Sequence, residues 1–332
     1  MPRWLYYLLA TAIVAPAISI IGGSQQEIAI FICSVISLIP LAALISRATE
    51  DLEYYVGPIA GGLLNATFGN APEIIIGIVA IQHGLITVVK ASITGSILSN
   101  ALLVLGMSLA AGGWRWGKQY FNARDAGQFA SMMALAVAAL ALPATASLLI
   151  KDPGRIETMS VAISIILLFV YALYLATHIF HLHAERRIPH RLGKHAVRPP
   201  RETGDEAEEA NSESEAHEVM STGTKPPPPW LTLLILCGAT IGTAWNSELL
   251  VGAIEPVTKL IGWSPVFIGL VIIPIVGNAT EHTSALVIAL KDRVDLSMAI
   301  AAGSSIQVAT LVAPLLVLVG LFYSPHLDLI FQ

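Results

Sequence analysis

Gly69-Asn70-Ala71-Pro72-Glu73 returns further along this chain as Gly277-Asn278-Ala279-Thr280-Glu281, with 208 residues between Glu73 and Glu281. The same displacement carries Gly95-Ser96 onto Gly303-Ser304. An ungapped overlay of residues 69–104 on 277–312 gives 11 identities in 36 positions, and they include Asn70, Glu73 and Ser96 with the glycines Gly69 and Gly95. Shared hydrophobic composition would align aliphatic residues and leave the polar ones unmatched, so the match marks a duplicated pair of helices.

The surroundings of both copies are apolar. Of the 332 residues, 55% are hydrophobic and 12% charged, with a mean hydropathy of +0.71, whereas soluble domains carry roughly 25% charged residues. Crossing a hydrocarbon core as a helix takes about 20 apolar residues. Nine segments qualify, near 4–22, 27–46, 58–81, 85–112, 126–149, 155–179, 230–246, 265–290 and 294–320. The expected fold is all-α and polytopic. Residues 1–26 hold the first transmembrane helix, which is read as a retained span because no small-residue cleavage pattern follows it. Residues 27–179 form a first repeat of five helices, and 230–332 a second repeat of three. Between them, 180–229 hold seven Lys/Arg, nine Asp/Glu, several His and Pro226-Pro227-Pro228-Pro229, the composition of a solvated linker. Basic residues mark the cytoplasmic side. Placing the N-terminus and the linker there collects Arg3, Arg47, Arg115, Lys118, Arg124, Lys291 and Arg293 with the linker residues, against Lys151, Arg155 and Lys259 outside. The motif copies lie five spans apart, and an odd number reverses direction. Inverted repeats of this kind build secondary transporters, with the site at the midplane between the halves.

Depth brings the polar residues to one level. Asn70/Glu73, Ser96/Ser99, Asn278/Glu281 and Ser304/Gln307 fall near mid-span, together with Asn100. Each pair is spaced i,i+3 and shares a helix face. Gly69, Pro72, Pro274 and Gly277 weaken the helices there, and broken backbone can turn carbonyls toward a cavity. An ionised carboxylate costs at least about 2.5 kcal/mol at mid-membrane, so two in symmetric positions call for a cation. Carboxylate, amide and hydroxyl oxygens suit calcium, which takes about 6–8 of them. Two glutamates balance a divalent charge. Without the metal, a desolvated carboxyl favours its neutral form and takes a proton, so metal and protons compete for the same groups.

At these positions the sequence resembles the cation/proton exchanger branch of the calcium/cation antiporter superfamily. Both Gly-Asn-Ala-x-Glu motifs, Gly277-Asn278-Ala279-Thr280-Glu281-His282, Gly95-Ser96-Ile97-Leu98-Ser99-Asn100 and Gly303-Ser304-Ser305-Ile306-Gln307 carry the resemblance, which extends from residue 27 to about 320. It implies an inverted-repeat cation/calcium exchanger fold and a secondary active transporter exchanging Ca2+ for H+. It further implies that Glu73 and Glu281 bind both ions, that Asn70 and Asn278 line the site, and that Ser96, Ser304 and Gln307 assist. That branch usually has eleven spans, so the second repeat, with nine spans in all before Gln332, is expected to be truncated by two helices. A Na+/Ca2+ exchanger on the same scaffold and an inactive truncated remnant are the alternatives.

Other features have plainer readings. Thr49-Glu50 and Ser247-Glu248 follow the first helix of each half and are read as helix caps, with gating of ion access as the alternative. Lys90 reads as a snorkelling side chain. His282 stands beside Glu281, but an i+1 neighbour points elsewhere on a helix, so a proton relay through it is the lesser reading. Gly95 and Gly303 serve either close helix packing or the site. Cys33 and Cys237 sit in apolar runs and form no thiolate motif. There is no His-Glu-x-x-His or Gly-x-Ser-x-Gly, so the chain is not read as an enzyme. No cofactor is expected beyond the transported ions. The partners are Ca2+, protons and the lipid bilayer, with no nucleic acid and with homo-oligomerisation left open.

Overall fold

A computed structural model describes residues 7–21, 26–150, 152–185 and 226–331. Within them the chain is helical throughout, in the order α1 (Thr11–Ile21), α2 (Glu27–Phe68), α3 (Ala71–Gln82), α4 (Ile86–Trp116), α5 (Ala123–Ser147), α6 (Pro153–Glu185), α7 (Pro229–Gly252), α8 (Ile254–Ile261), α9 (Pro265–Gly277), α10 (Ala279–Ala289) and α11 (Val294–Gly320). By length and apolarity six of these described helices can cross a membrane, or seven if the bent pair α9–α10 is one crossing.

The described parts of the segments marked out by hydropathy fall on helix, but the boundaries differ from the expectation. The third is divided. Residues 58–68 complete α2 after a kink at Gly57 (φ 82°, ψ 172°), and α3 follows separately. At Gly57 the positive φ favours a residue without Cβ. The capping reading of Thr49-Glu50 and Ser247-Glu248 is overturned, because α2 runs past the first pair and α7 past the second. Thr49 Oγ1 donates back to the carbonyl of Ile45 at 2.8 Å, as a mid-helix threonine does. A fall in hydropathy marks where apolar surface ends. Helical hydrogen bonding is between backbone groups, and it continues. Of the expected linker, 186–225 lie outside the described residues; the positions before them continue α6, and Pro226–Pro228 lead into α7. Tyr55 Oη donates to the carbonyl of Pro227 at 2.8 Å.

The two halves interlock. Helix α2 lies along α7, each of them the first helix of its half, while α7 also packs on α3 and α2 on α9 and α10. Ile76, Ile81 and Val88 of the first half share one buried cluster with Leu250, Ile254 and Leu316 of the second. Lipid tails are as apolar as leucine, so close packing supplies most of the attraction between such helices. Glycines make that packing possible. A Cβ on Gly77 would meet Leu316 Cδ1 at 2.6 Å, and one on Gly269 would meet the carbonyl oxygen of Val88 at 2.7 Å.

Candidate functional site

Both motifs break their helices in the same way. Asn70 has φ −99° and ψ 13°, and Asn278 has φ −95° and ψ 19°. That is the sparsely populated bridge region of backbone space, adopted twice by equivalent residues. At the second break the axes of α9 and α10 differ by 60°. Each break starts a new helix with its glutamate in the first turn, Glu73 in α3 and Glu281 in α10. Unpaired N–H groups and the helix dipole make a helix N-terminus favourable for negative charge, which offsets part of the cost of burial.

Glu73 is 4% exposed, and its carboxylate lies against the second motif, where a Cβ on Gly277 would meet Glu73 Oε1 at 2.8 Å. The glycine of one motif therefore makes room for the glutamate of the other. Glu281 is only partly buried as a residue. Even so, Oε2 of Glu73, Oε2 of Glu281 and Oγ1 of Thr280 are each sealed from solvent with no hydrogen-bond partner among the described residues. Buried polar atoms are nearly always satisfied, so three unpaired oxygens at these motifs are free to take a ligand for oxygen donors.

The remaining expected residues fall into two groups around these carboxylates. Asn70 Nδ2 donates to Gln307 Oε1 at 2.8 Å. Asn278 is a hub. Its Nδ2 donates to Ser96 Oγ at 3.1 Å and to the carbonyl of Pro274 at 3.0 Å, and its Oδ1 accepts from Asn100 Nδ2 at 3.0 Å and from Ser304 Oγ at 3.4 Å. Asn100 Nδ2 also donates to Ser304 Oγ at 2.8 Å. Apart from the bond back to Pro274 within α9, each of these bonds joins the broken helix of one half to α4 or α11, or α4 to α11. Asn278 already uses both donors and its acceptor, so its side chain holds α9 and α10 against α4 and α11.

Asn100, His282 and Thr280 were not expected among the site residues. His282 Nε2 lies 3.0 Å from Asn100 Oδ1 and 3.5 Å from Ser99 Oγ, facing α4. Asn100 follows Ser96 by four positions and so shares its face, a signal present in the sequence. Its repeat counterpart is Val308 and that of His282 is Ile74, so a reading led by the repeat passes over both. Two π-helical turns, Ser99–Val104 in α4 and Val308–Val312 in α11, follow the Ser-containing motifs at matching places. Such turns occur often at functional sites. Lys90, read as snorkelling, instead pairs with Asp328 at 2.5 Å.

A family model described as sodium/calcium exchanger protein matches residues 26–180 and 231–332. A Ca(2+)/H(+) antiporter of Aphanothece halophytica is 38% identical over 316 residues, covering 92% of this chain and 79% of that protein. One from Synechocystis sp. is 40% identical over 310 residues, covering 92% and 80%. Among solved structures, that of native YfkE superposes with a TM-score of 0.76 at 31% identity, covering 99% of this chain and 86% of that one.

Proposed function

The chain belongs to the sodium/calcium exchanger protein family, and from that premise we propose that it exchanges Ca2+ for H+ across a membrane at a site centred on Glu73 and Glu281. The observation that carries this reading is the set of unpaired, buried oxygens of Glu73, Glu281 and Thr280 at two symmetric helix breaks. Carboxylate and hydroxyl oxygens are hard donors, and two carboxylates neutralise one divalent ion. When the cation leaves, neither carboxylate can stay charged and buried without a partner at low cost, and protons replace it. Binding of one species therefore expels the other. That competition is sufficient for antiport, provided the loaded forms change access and the empty charged form does not.

Gln307 holds Asn70 at the first break, and Asn278 with Ser96, Asn100 and Ser304 holds the second. These groups orient the carboxylates and limit how far the broken ends can part. The relatives named above as Ca(2+)/H(+) antiporters support protons as the counter-ion. The distribution of Lys and Arg supports a cytoplasmic N-terminus and a cytoplasmic 180–229 segment.

The test is calcium uptake into vesicles driven by a pH gradient. Glu73→Gln and Glu281→Gln should each reduce it to background while leaving the protein folded in detergent. A protonophore should stop uptake by the parent, and an imposed sodium gradient should not drive it. Normal uptake by both variants would remove the site assignment, and sodium-driven uptake insensitive to pH would replace the proton by sodium.

A further inference from the structure

The end of the molecule where α3 and α7 finish carries a set of paired charges. His83 Nε2 lies 2.8 Å from Glu248 Oε1, linking the end of α3 to α7. His326 Nδ1 lies 2.7 Å from Glu157 Oε1, Lys90 pairs with Asp328 at 2.5 Å, Lys259 with Glu255 at 2.6 Å and Arg155 with Asp152 at 3.5 Å. Gln82, next to His83, donates to Tyr323 Oη at 3.1 Å. The charged group facing His83 is thus Glu248, and the other described charges at this end are occupied with one another. Three of the five pairs hold groups charged throughout the physiological range. The His83 and His326 pairs are ionic only when the imidazole is protonated, and histidine changes charge between about pH 5 and 8.

His83–Glu248 sits at the end of a seam that leads to the carboxylates. Helix α7 lies on α3, with Leu236 and Ala239 packed in one cluster with Ala71, two residues from Glu73. Thr243 and Ser247 follow Leu236 at i+7 and i+11, on the same helix face. Both are fully buried, and the hydroxyl oxygens of both lack a hydrogen-bond partner among the described residues. A buried hydroxyl without a partner gains one as soon as water reaches it. This face of α7, which packs on Ile45 and Ala48 of α2 as well as on α3, is therefore apolar at its inner end, carries two unsatisfied hydroxyls further out, and ends near a pair whose strength depends on a proton.

We propose that His83 and Glu248 are positioning residues that form a proton-fastened latch, holding α7 against α3 and closing this face when His83 is charged, and releasing the seam to water and cations when it is neutral. The inference rests on the exchanger reading, since alternating access needs a seam that opens on each face. Its consequence is a brake. Acid on this face keeps the route to Glu73 shut and limits how fast protons can drive turnover.

The test uses the full chain with Cys33→Ala and Cys237→Ala, reconstituted in liposomes, with Ser247→Cys as the reporter and a membrane-impermeant methanethiosulfonate as the probe. Labelling rates are compared between variants at one pH at a time, so the pH dependence of the thiol itself cancels. At about pH 6, His83→Gln and Glu248→Gln should each label about two- to fivefold faster than the parent, the span expected for one exposed ion pair. On this proposal they should match it at about pH 8.5. His83→Lys, charged at both, should label more slowly than the parent at the higher pH. A variant-to-parent ratio that is the same at both pH values, whether one or not, overturns the latch. The labelling needs no transport and can be repeated in Glu73→Gln, so failure of the exchanger reading and failure of the latch are read separately.

Discussion

The two asparagines of the repeated motif have the same backbone conformation and different partners, and the difference has a measurable consequence. Asn70 donates to Gln307, a residue that is only partly buried. Asn278 bonds to groups on α4, α9 and α11, all of them buried. Removing one member of a buried hydrogen-bonded set costs about 1–3 kcal/mol per stranded group. Asn278→Ala strands Ser96 and one donor of Asn100 together. The expected outcome is a loss of about 2–6 kcal/mol for Asn278→Ala by the same reckoning. Asn70→Ala should cost less, since the partner it leaves, Gln307, is only partly buried and can turn to water. Thermal unfolding of the purified variants in one detergent checks the order, and equal losses would contradict the hub.

At the scale of elements, α4 and α9 approach as closely as backbones can. Pro274 has no N–H, so the carbonyl of Leu270 has no donor at i+4 within its helix. A Cβ on Gly95 would fall on that same carbonyl oxygen and within 2.6 Å of Pro274 Cγ. Because the obstacle is backbone and a proline ring, no rotamer change relieves it. Gly95 therefore acts in packing. Gly95→Val should fail to accumulate as folded protein, since forced overpacking of this kind costs about 3 kcal/mol or more. Gly106→Val, one π-turn further along the same helix, meets nothing within 4 Å and should be tolerated. Size-exclusion profiles of fluorescent fusions of the two variants compare them directly. The result that would contradict the reading is a normal profile for Gly95→Val.

For the whole molecule, competition between calcium and protons sets how stability responds to the ion. A ligand that binds only the folded state stabilises it by RT ln(1 + [L]/Kd), about 2.7 kcal/mol at a hundredfold excess over Kd. Protonation of the carboxylates removes the site. Added calcium should therefore raise Tm at about pH 8 and have a much smaller effect at about pH 5.5, the sign expected when protons compete for the ligand groups. In Glu73→Gln and Glu281→Gln the calcium shift should be small at both. A calcium shift that does not change with pH would mean that metal and protons occupy separate groups.

Periodicity and the repeat alone determined the class of molecule: apolar length identifies helices in a membrane, and a polar motif repeated an odd number of spans away identifies inverted halves. The two glutamates were singled out in the sequence for the same reason, because symmetric carboxylates in hydrocarbon are costly and call for a counter-charge. What breaks the symmetry was not legible. Asn100 and His282 have aliphatic counterparts in the other half, so only their meeting with Asn278 and Ser99 across three helices reveals the hub. Helix ends were misplaced at Thr49 and Ser247, since hydropathy reports the boundary of apolar surface and the backbone hydrogen bonds continue beyond it. Two close approaches likewise belong to tertiary structure alone, Gly277 beneath the Glu73 carboxylate and Gly95 beneath the Leu270 carbonyl. A glycine in a sequence records that a side chain is absent, and only the packing of a second helix shows what occupies the space.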